Sequence, residues 1–203
     1  MLNNTRKPEG LFGRLMVNGM NGGPHAALAR WAMSLLPIEE GAQVLDIGCG
    51  GGANIARMLR RAAEGTVVGI DYSPVSVRKS IKVNADAIRG GRCRVVEGTV
   101  EALPFAEATF DLATAFETVY FWPDLGSCFS EVRRVLRPGG RFAIVNEIDG
   151  IDPSGDKWEH LISGMRIYKP DALRWSLGDA GFDHVSISQH GERHWLMAVA
   201  TKA

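Results

Sequence analysis

The sequence is poor in the features that mark a disulfide scaffold, a zinc ribbon, a polyanion binder or a membrane span. It has three cysteines in 203 residues. Cys49, Cys93 and Cys128 are far apart and form no CxxC pair, so neither a disulfide framework nor structural zinc is expected, and a reducing compartment is. Charge of one sign is lacking too: 23 Lys plus Arg balance 23 Asp plus Glu. No global field draws the chain to nucleic acid. Local basic groups, such as Arg57 with Arg60 and Arg61, or Arg78 with Lys79 and Lys82, fall where helices with a solvated face are expected. No apolar stretch is long enough to cross a bilayer, since even residues 26–36 are broken by Arg30. Residues 1–10 are polar and lack the apolar run of a secretory signal. Repeats, low-complexity tracts and Gly/Ser linkers are missing as well. These absences leave a soluble cytoplasmic protein of one domain, without a membrane span or a nucleic-acid partner.

What remains is an alternation of two periodicities. Residues 43–47, 66–70, 93–97, 110–115 and 141–147 are strand-length runs rich in Val, Ile, Leu or Phe, bounded by Gly, Pro or Asp, and read as buried parallel strands. Residues 53–62, 74–88 and 125–136 carry helical spacing. Ser73 followed by Pro74 is an N-cap and first-turn pair, and Pro138-Gly139-Gly140 is expected to stop the third helix. A helix over 24–36 precedes the first strand, and helices over 156–168 and 170–180 follow the fifth. Residues 184–189 and 194–201, joined by a Gly-containing turn, are expected to form an antiparallel hairpin. Such alternation places helices on both faces of a parallel sheet, with ligands beyond the carboxyl ends of its strands.

The first strand runs into Asp46-Ile47-Gly48-Cys49-Gly50-Gly51-Gly52-Ala53. Glycines there let a ligand approach the backbone, and the free amides of the following helix favour an anionic group. Gly48, Gly50 and Ala53 satisfy the spacing of a nicotinamide dinucleotide site, so the loop by itself does not choose a cofactor. Asp46 shifts the balance, because a carboxylate there would repel a pyrophosphate. S-adenosylmethionine, with an ammonium, a sulfonium and one carboxylate, can use both the acid and the amides. The competing role for Asp46 is to brace the loop. Asp71, at the end of the second strand, can accept hydrogen bonds from two ribose hydroxyls, a role common to both cofactors.

With these residues in place, the chain resembles the class I S-adenosylmethionine-dependent methyltransferases, in particular the small bacterial branch similar to ubiquinone/menaquinone-biosynthesis enzymes. Val44 to Gly52 resembles the family's first motif, and Asp71 matches its ribose-binding acid. Gly98-Thr99-Val100-Glu101-Ala102-Leu103-Pro104-Phe105 resembles the adenine-holding segment, where the family usually has Asp in place of Thr99. Phe110-Asp111-Leu112, the stretch from Arg133 to Gly140, and Leu177-Gly178-Asp179-Ala180-Gly181-Phe182 are similar to later family segments. The resemblance implies a Rossmann-like three-layer α/β sandwich with a seven-stranded, mostly parallel sheet and an antiparallel last strand. It implies a core over 42–203 and a cap over 1–41. The implied cofactor set is Asp46, Gly48, Cys49, Gly50, Gly52, Asp71, Tyr72, Thr99, Val100, Glu101 and Phe116.

Methyl transfer from a sulfonium is an in-line displacement whose leaving group is already activated, so positioning dominates and no universal catalytic residue is needed. A base matters only where the acceptor must lose a proton. Residues 116–123 combine Glu117, Tyr120 and the aromatics Phe116, Phe121 and Trp122, and can form the acceptor wall or simply pack under a loop. Residues 11–25 mix glycines with Met16 and Met20, as a lid or a packing stripe would. The candidate acceptor-binding residues are Met16, Met20, His25, Glu117, Tyr120 and Trp122, and those for proton transfer are His25, Glu117 and Tyr120. His190 and His194 are not expected to hold a metal, because a hairpin removes the helical face such a pair needs. Asn146, Glu147 and Asp149 can line the pocket or satisfy backbone groups. Two other readings compete: a non-catalytic S-adenosylmethionine-binding protein and a nicotinamide-dependent oxidoreductase. The acceptor itself is not identified by the sequence.

Overall fold

The computed structural model describes residues 23–203. Strands β1 (Gln43–Ile47), β2 (Thr66–Asp71), β3 (Cys93–Glu97), β4 (Phe110–Phe116), β5 (Leu136–Asn146), β6 (Asp183–His190) and β7 (Trp195–Thr201) form one sheet. Its order is β3-β2-β1-β4-β5-β7-β6. The first five strands pair in parallel, and β7 lies antiparallel between β5 and β6. The chain therefore builds outward from β1 through β2 to β3, then returns to the other side of β1 with β4. This reversal opens a crevice at the carboxyl ends of β1 and β4, where ligands bind in open α/β sheets.

Each face of the sheet buries its own apolar layer. On one face, Leu28 and Met33 of α1 (Gly23–Leu35) and Ile55 and Met58 of α2 (Ala53–Leu59) pack with Val44 and Val67. On the other, Phe129 and Val132 of α5 (Leu125–Val135) and Leu173 and Leu177 of α7 (Pro170–Asp179) pack with Leu45, Phe142 and Leu196. Alternation along β1 explains the division, since successive side chains point to opposite faces of a strand.

Several boundaries depart from the sequence reading. The helix expected over 74–88 breaks into α3 (Pro74–Val83) and α4 (Ala85–Arg89). Between them, buried Asn84 turns its side-chain amide to Gly52 O and Ser80 O, each at 3.0 Å, and ties this corner to the glycine loop. The third helix ends at Val135 instead of being stopped by the Pro-Gly-Gly run. Leu136 is already extended (ψ 144°), and Pro138, Gly139 and Gly140 lie within β5. A residue preceding proline is biased to extended backbone, which favours this early exit. Helix 53–62 closes at Leu59, and helix 156–168 shortens to α6 (Asp156–Leu161). Strand β3 is a sheet edge and only partly buried, not a fully covered strand. Ser73 does cap α3, accepting from Ser76 N at 3.4 Å, with Pro74 in the first turn. Among the described residues, no helix is long and apolar enough to cross a membrane.

Candidate active site

A cavity of about 440 Å³ opens at the predicted crevice. One side is the loop after β1. Gly48 there has φ +73°, and a Cβ on it would stand 2.2 Å from Thr118 Cγ2, so glycine permits both the turn and the approach of the β4 end. Gly50 also has positive φ but faces open space. Gly48, Cys49 and Gly50 line the cavity. Gly52 does not: a Cβ on it would meet Ser80 Oγ at 2.5 Å and Asn84 Nδ2 at 2.6 Å. Its part is to let α2 start against α3, and its expected cofactor contact is withdrawn.

Asp71 closes the next side. One carboxylate oxygen accepts from Gly50 N and the other from Ser73 N, each at 2.9 Å. Burial pushes this carboxyl above its ordinary range, against the opposing pull of those amides. The Ser76 hydroxyl also hydrogen-bonds this carboxylate, which lines the cavity together with Tyr72. Thr99, Val100 and Glu101 line the end beyond β3.

Asp46 stands elsewhere than the sequence reading put it. It is buried on β1 behind the loop and does not face the cavity, because its side chain points into the layer that holds Met58. Oδ1 accepts from Thr114 Oγ1 at 2.8 Å, while Oδ2 has no hydrogen-bond partner. Burial raises its pKa to about 7, opposed by the Thr114 bond and assisted by the charge of Asp71. Asp46 was expected to contact a ligand, yet it lines no part of the cavity. A buried carboxylate oxygen without a donor is nonetheless costly unless positive charge arrives nearby. That orphan, together with the open Gly50 cradle and the part-committed Asp71, fits a cationic nucleoside with an amino-acid tail.

The opposite wall comes from the residues after β4. Phe116, Glu117, Thr118, Phe121 and Trp122 line the cavity, and so does His25 from the first turn of α1. Trp122 serves two purposes: it stacks on Phe142, with ring centroids 6.0 Å apart and planes at 7°, and shows only its margin to the cavity. Tyr120 does not line the wall, and its acceptor contact is withdrawn. It is buried behind Glu117 with Ile162 and Met165, its hydroxyl accepting from Ile148 N at 3.0 Å and donating to Glu117 Oε1 at 3.4 Å. Its short reach from a 3₁₀ turn (Val119–Phe121) directs it inward.

Glu117 has a left-handed backbone, φ +61°, in a region that non-glycine residues rarely occupy. Its Oε1 also accepts a short hydrogen bond from Glu147 N. Burial, and secondarily the Glu147 charge, push the Glu117 carboxyl up to about 8. His25 Nδ1 lies 3.8 Å from Glu147 Oε2. His25, Glu117 and Glu147 each offer a ligand atom within 4.8 Å of the others. Asp149, by contrast, satisfies backbone amides of Ile151 and Asp152. Asn146 is buried with both side-chain polar atoms unpaired. His190 packs its ring against Trp31 and Trp195. Met16 and Met20 lie outside the described residues. The sequence reading missed Arg57, Asn54 and Ser76, which also line the cavity; helical spacing from the glycine loop was the available signal for the first two.

Residues 45–144 match the family model described as a methyltransferase domain. The chain is 33% identical over 139 residues to 24-methylenesterol C-methyltransferase 2 of Oryza sativa subsp. japonica, a match covering 68% of this chain and 38% of that protein. It is 30% identical over 179 residues to 27-O-demethylrifamycin SV methyltransferase of Amycolatopsis mediterranei, covering 81% of this chain and 63% of that one. A solved S-adenosylmethionine-dependent methyltransferase from Aquifex aeolicus shares the fold, with TM-score 0.77, 17% identity, and coverage of 94% and 98%. The chain thus matches a methyltransferase domain over residues 45–144 and has the fold of that S-adenosylmethionine-dependent methyltransferase. It spans little more than a third of the length of the sterol-modifying relative.

Proposed function

We propose that the chain transfers a methyl group from S-adenosylmethionine to a small-molecule acceptor within this cavity. The observation that carries the reading is the convergence, on one cavity at the ends of β1 and β4, of the glycine loop, Asp71 and the Glu117 wall. When bound, the cofactor supplies an activated methyl group and a neutral thioether leaving group. Asp71 holds the ribose hydroxyls while keeping the loop fastened through Gly50. Thr99 and the Val100 backbone hold the adenine, and the loop amides receive the carboxylate of the amino-acid tail. Asp46, behind the loop, offsets the positive end of the ligand. Phe116, Phe121 and the margin of Trp122 exclude water and position the acceptor for in-line attack. His25 stands where a proton leaving the acceptor can be taken up, and Glu117, whose carboxyl is raised to about 8, can do so once ionised.

The finer assignments belong to the same proposal. The order of motifs supports the ubiquinone/menaquinone-like branch, three unpaired buried cysteines suit a reducing cytoplasm, and residues 1–41 act as the cap of a core over 42–203. A second reading, cofactor binding without turnover, draws on Thr99 standing where the family usually has an acid. The test is release of S-adenosylhomocysteine on incubation with a panel of hydroxyl, amine, thiol and carbon-nucleophile acceptors. Product with any of them supports transfer. Cofactor binding with no product favours the second reading, and no binding of either S-adenosyl compound removes both.

A further inference from the structure

We propose that His25, Glu117 and Glu147 form a site for one divalent transition-metal ion at the acceptor end of the cavity. The three side chains come from separate elements: the first turn of α1, the residue after β4 and the residue after β5. Nothing local in the sequence brings them together; the sheet does, because β4 and β5 are parallel neighbours that end at the same level. Each offers a ligand atom within 4.8 Å of the other two. Metal–ligand bonds of about 2.0–2.2 Å require those atoms to close by roughly an ångström. His25 and Glu147 can do so by side-chain rotation, their side chains being 37% and 34% exposed.

Glu117 is already set for such a role. Its Oε1 is held by the Tyr120 hydroxyl and by Glu147 N, which leaves Oε2 for another partner. Orientation of a ligating carboxylate by hydrogen bonds of this kind is how metal sites fix their ligands. The left-handed backbone at Glu117 is a local cost of the kind that clusters at functional sites. The two glutamates face one another, and neither forms an ion pair with a lysine or arginine among the described residues; His25 is the basic group beside them. With a neutral imidazole and the Glu117 proton displaced as the metal enters, the cluster carries two negative charges, which a divalent cation would balance. One imidazole with two carboxylates suits Zn²⁺, Mn²⁺, Fe²⁺ or Co²⁺, whereas Mg²⁺ and Ca²⁺ prefer all-oxygen shells.

Three protein ligands leave coordination positions open, and His25 and Glu117 both line the cavity. An acceptor oxygen or nitrogen lone pair is the ligand such a position would take. This last point rests on the methyltransferase reading, whereas metal binding does not.

The experiment is calorimetric titration of the chelator-treated full chain with Zn²⁺, Mn²⁺ and Mg²⁺, with electron paramagnetic resonance of bound Mn²⁺. One Zn²⁺ or Mn²⁺ per chain is expected, weakened about tenfold or more in Glu147→Gln and His25→Ala, by analogy with the loss of a supporting metal contact. S-adenosylhomocysteine binding, measured on the same variants, should persist and reports that they are folded. No Zn²⁺ or Mn²⁺ uptake by the wild type at low-millimolar metal would overturn the proposal. So would uptake unchanged in the Glu147→Gln/His25→Ala double variant, or uptake of Mg²⁺ alone. Loss of S-adenosylhomocysteine binding in the wild type would count against the methyltransferase reading and leave the metal result to stand by itself.

Discussion

Asp71 Oδ2 accepts a hydrogen bond from Gly50 N at 2.9 Å, so the acid at the end of β2 fastens the glycine loop that follows β1. One side chain thereby shapes the cradle and lines the cavity. Asp71→Ala is expected to weaken S-adenosylhomocysteine binding by about 1–3 kcal/mol, the usual loss for a charged hydrogen-bonding group. Asp71→Asn, which keeps one acceptor oxygen, should lose less. Calorimetry on the two variants ranks them, and equal affinity to wild type in Asp71→Ala would remove the residue from the site.

Gly48 packs where a Cβ would lie 2.2 Å from Thr118 Cγ2. Gly48→Ala should destabilise the fold by about 1–3 kcal/mol through overpacking, with a further contribution from its positive φ. Thr118→Ala in the same chain relieves the collision but not the backbone strain, so the double variant should recover only part of the stability. Urea unfolding of the single and double variants reads this directly. Full recovery would show that strain at φ +73° costs nothing there.

Asp46 supplies one part of the pH dependence of stability, and Glu117, raised from 4.5 to about 8, adds a second part of the same sign. The folded pKa of Asp46 is raised from 3.8 to about 7, so the folded state holds the proton more tightly than the unfolded chain. The protonated form is favoured in both states below about pH 4. Between there and about pH 7 the unfolded chain ionises first, and the Asp46 part of the stability falls as pH rises, at a slope of at most about 1.4 kcal/mol per pH unit. Asp46→Asn should flatten this part of the profile. Denaturation midpoints from pH 4.5 to 7.5 give the slope, and one unchanged by the substitution would contradict the burial argument.

Thr99 lines the cavity with a hydroxyl where the resembling family usually has a carboxylate. Replacing a neutral acceptor by a charged one adds about 1 kcal/mol per hydrogen bond. Thr99→Asp should therefore tighten S-adenosylhomocysteine binding about fivefold. Weaker binding would show that the adenine does not reach this position.

Strand placement, the final antiparallel hairpin and the location of the cavity were legible in the sequence because they follow from alternating periodicities and from the rule that ligands sit beyond parallel strand ends. Asp71 was legible for the same reason, as a strand-terminal acid. Asp46 was expected as a ligand contact because two-residue alternation, which sends it into the layer that holds Val44 and Met58, was not applied to it. Gly52 looked like part of a phosphate-type loop, yet its neighbour is Asn84, thirty-two positions away. Tyr120 was read as wall because proximity in sequence to Glu117 hides the turn that sends it inward. The cluster of His25, Glu117 and Glu147 was illegible for a different reason: strand pairing brings the two glutamates together, and His25 joins them from a helix far away in sequence. The helix break at Asn84 is likewise a tertiary effect, set by a side chain reaching Gly52 O and not by local propensity.

Calorimetric titration of the full chain with S-adenosylhomocysteine and, separately, with NAD is the most direct test of how the cavity is used. A cavity with Asp71 on its wall and the Asp46 carboxyl buried behind the glycine loop predicts one S-adenosylhomocysteine per chain, displaced by S-adenosylmethionine, and no detectable heat with NAD. Saturable binding of NAD with none of either S-adenosyl compound would contradict the account.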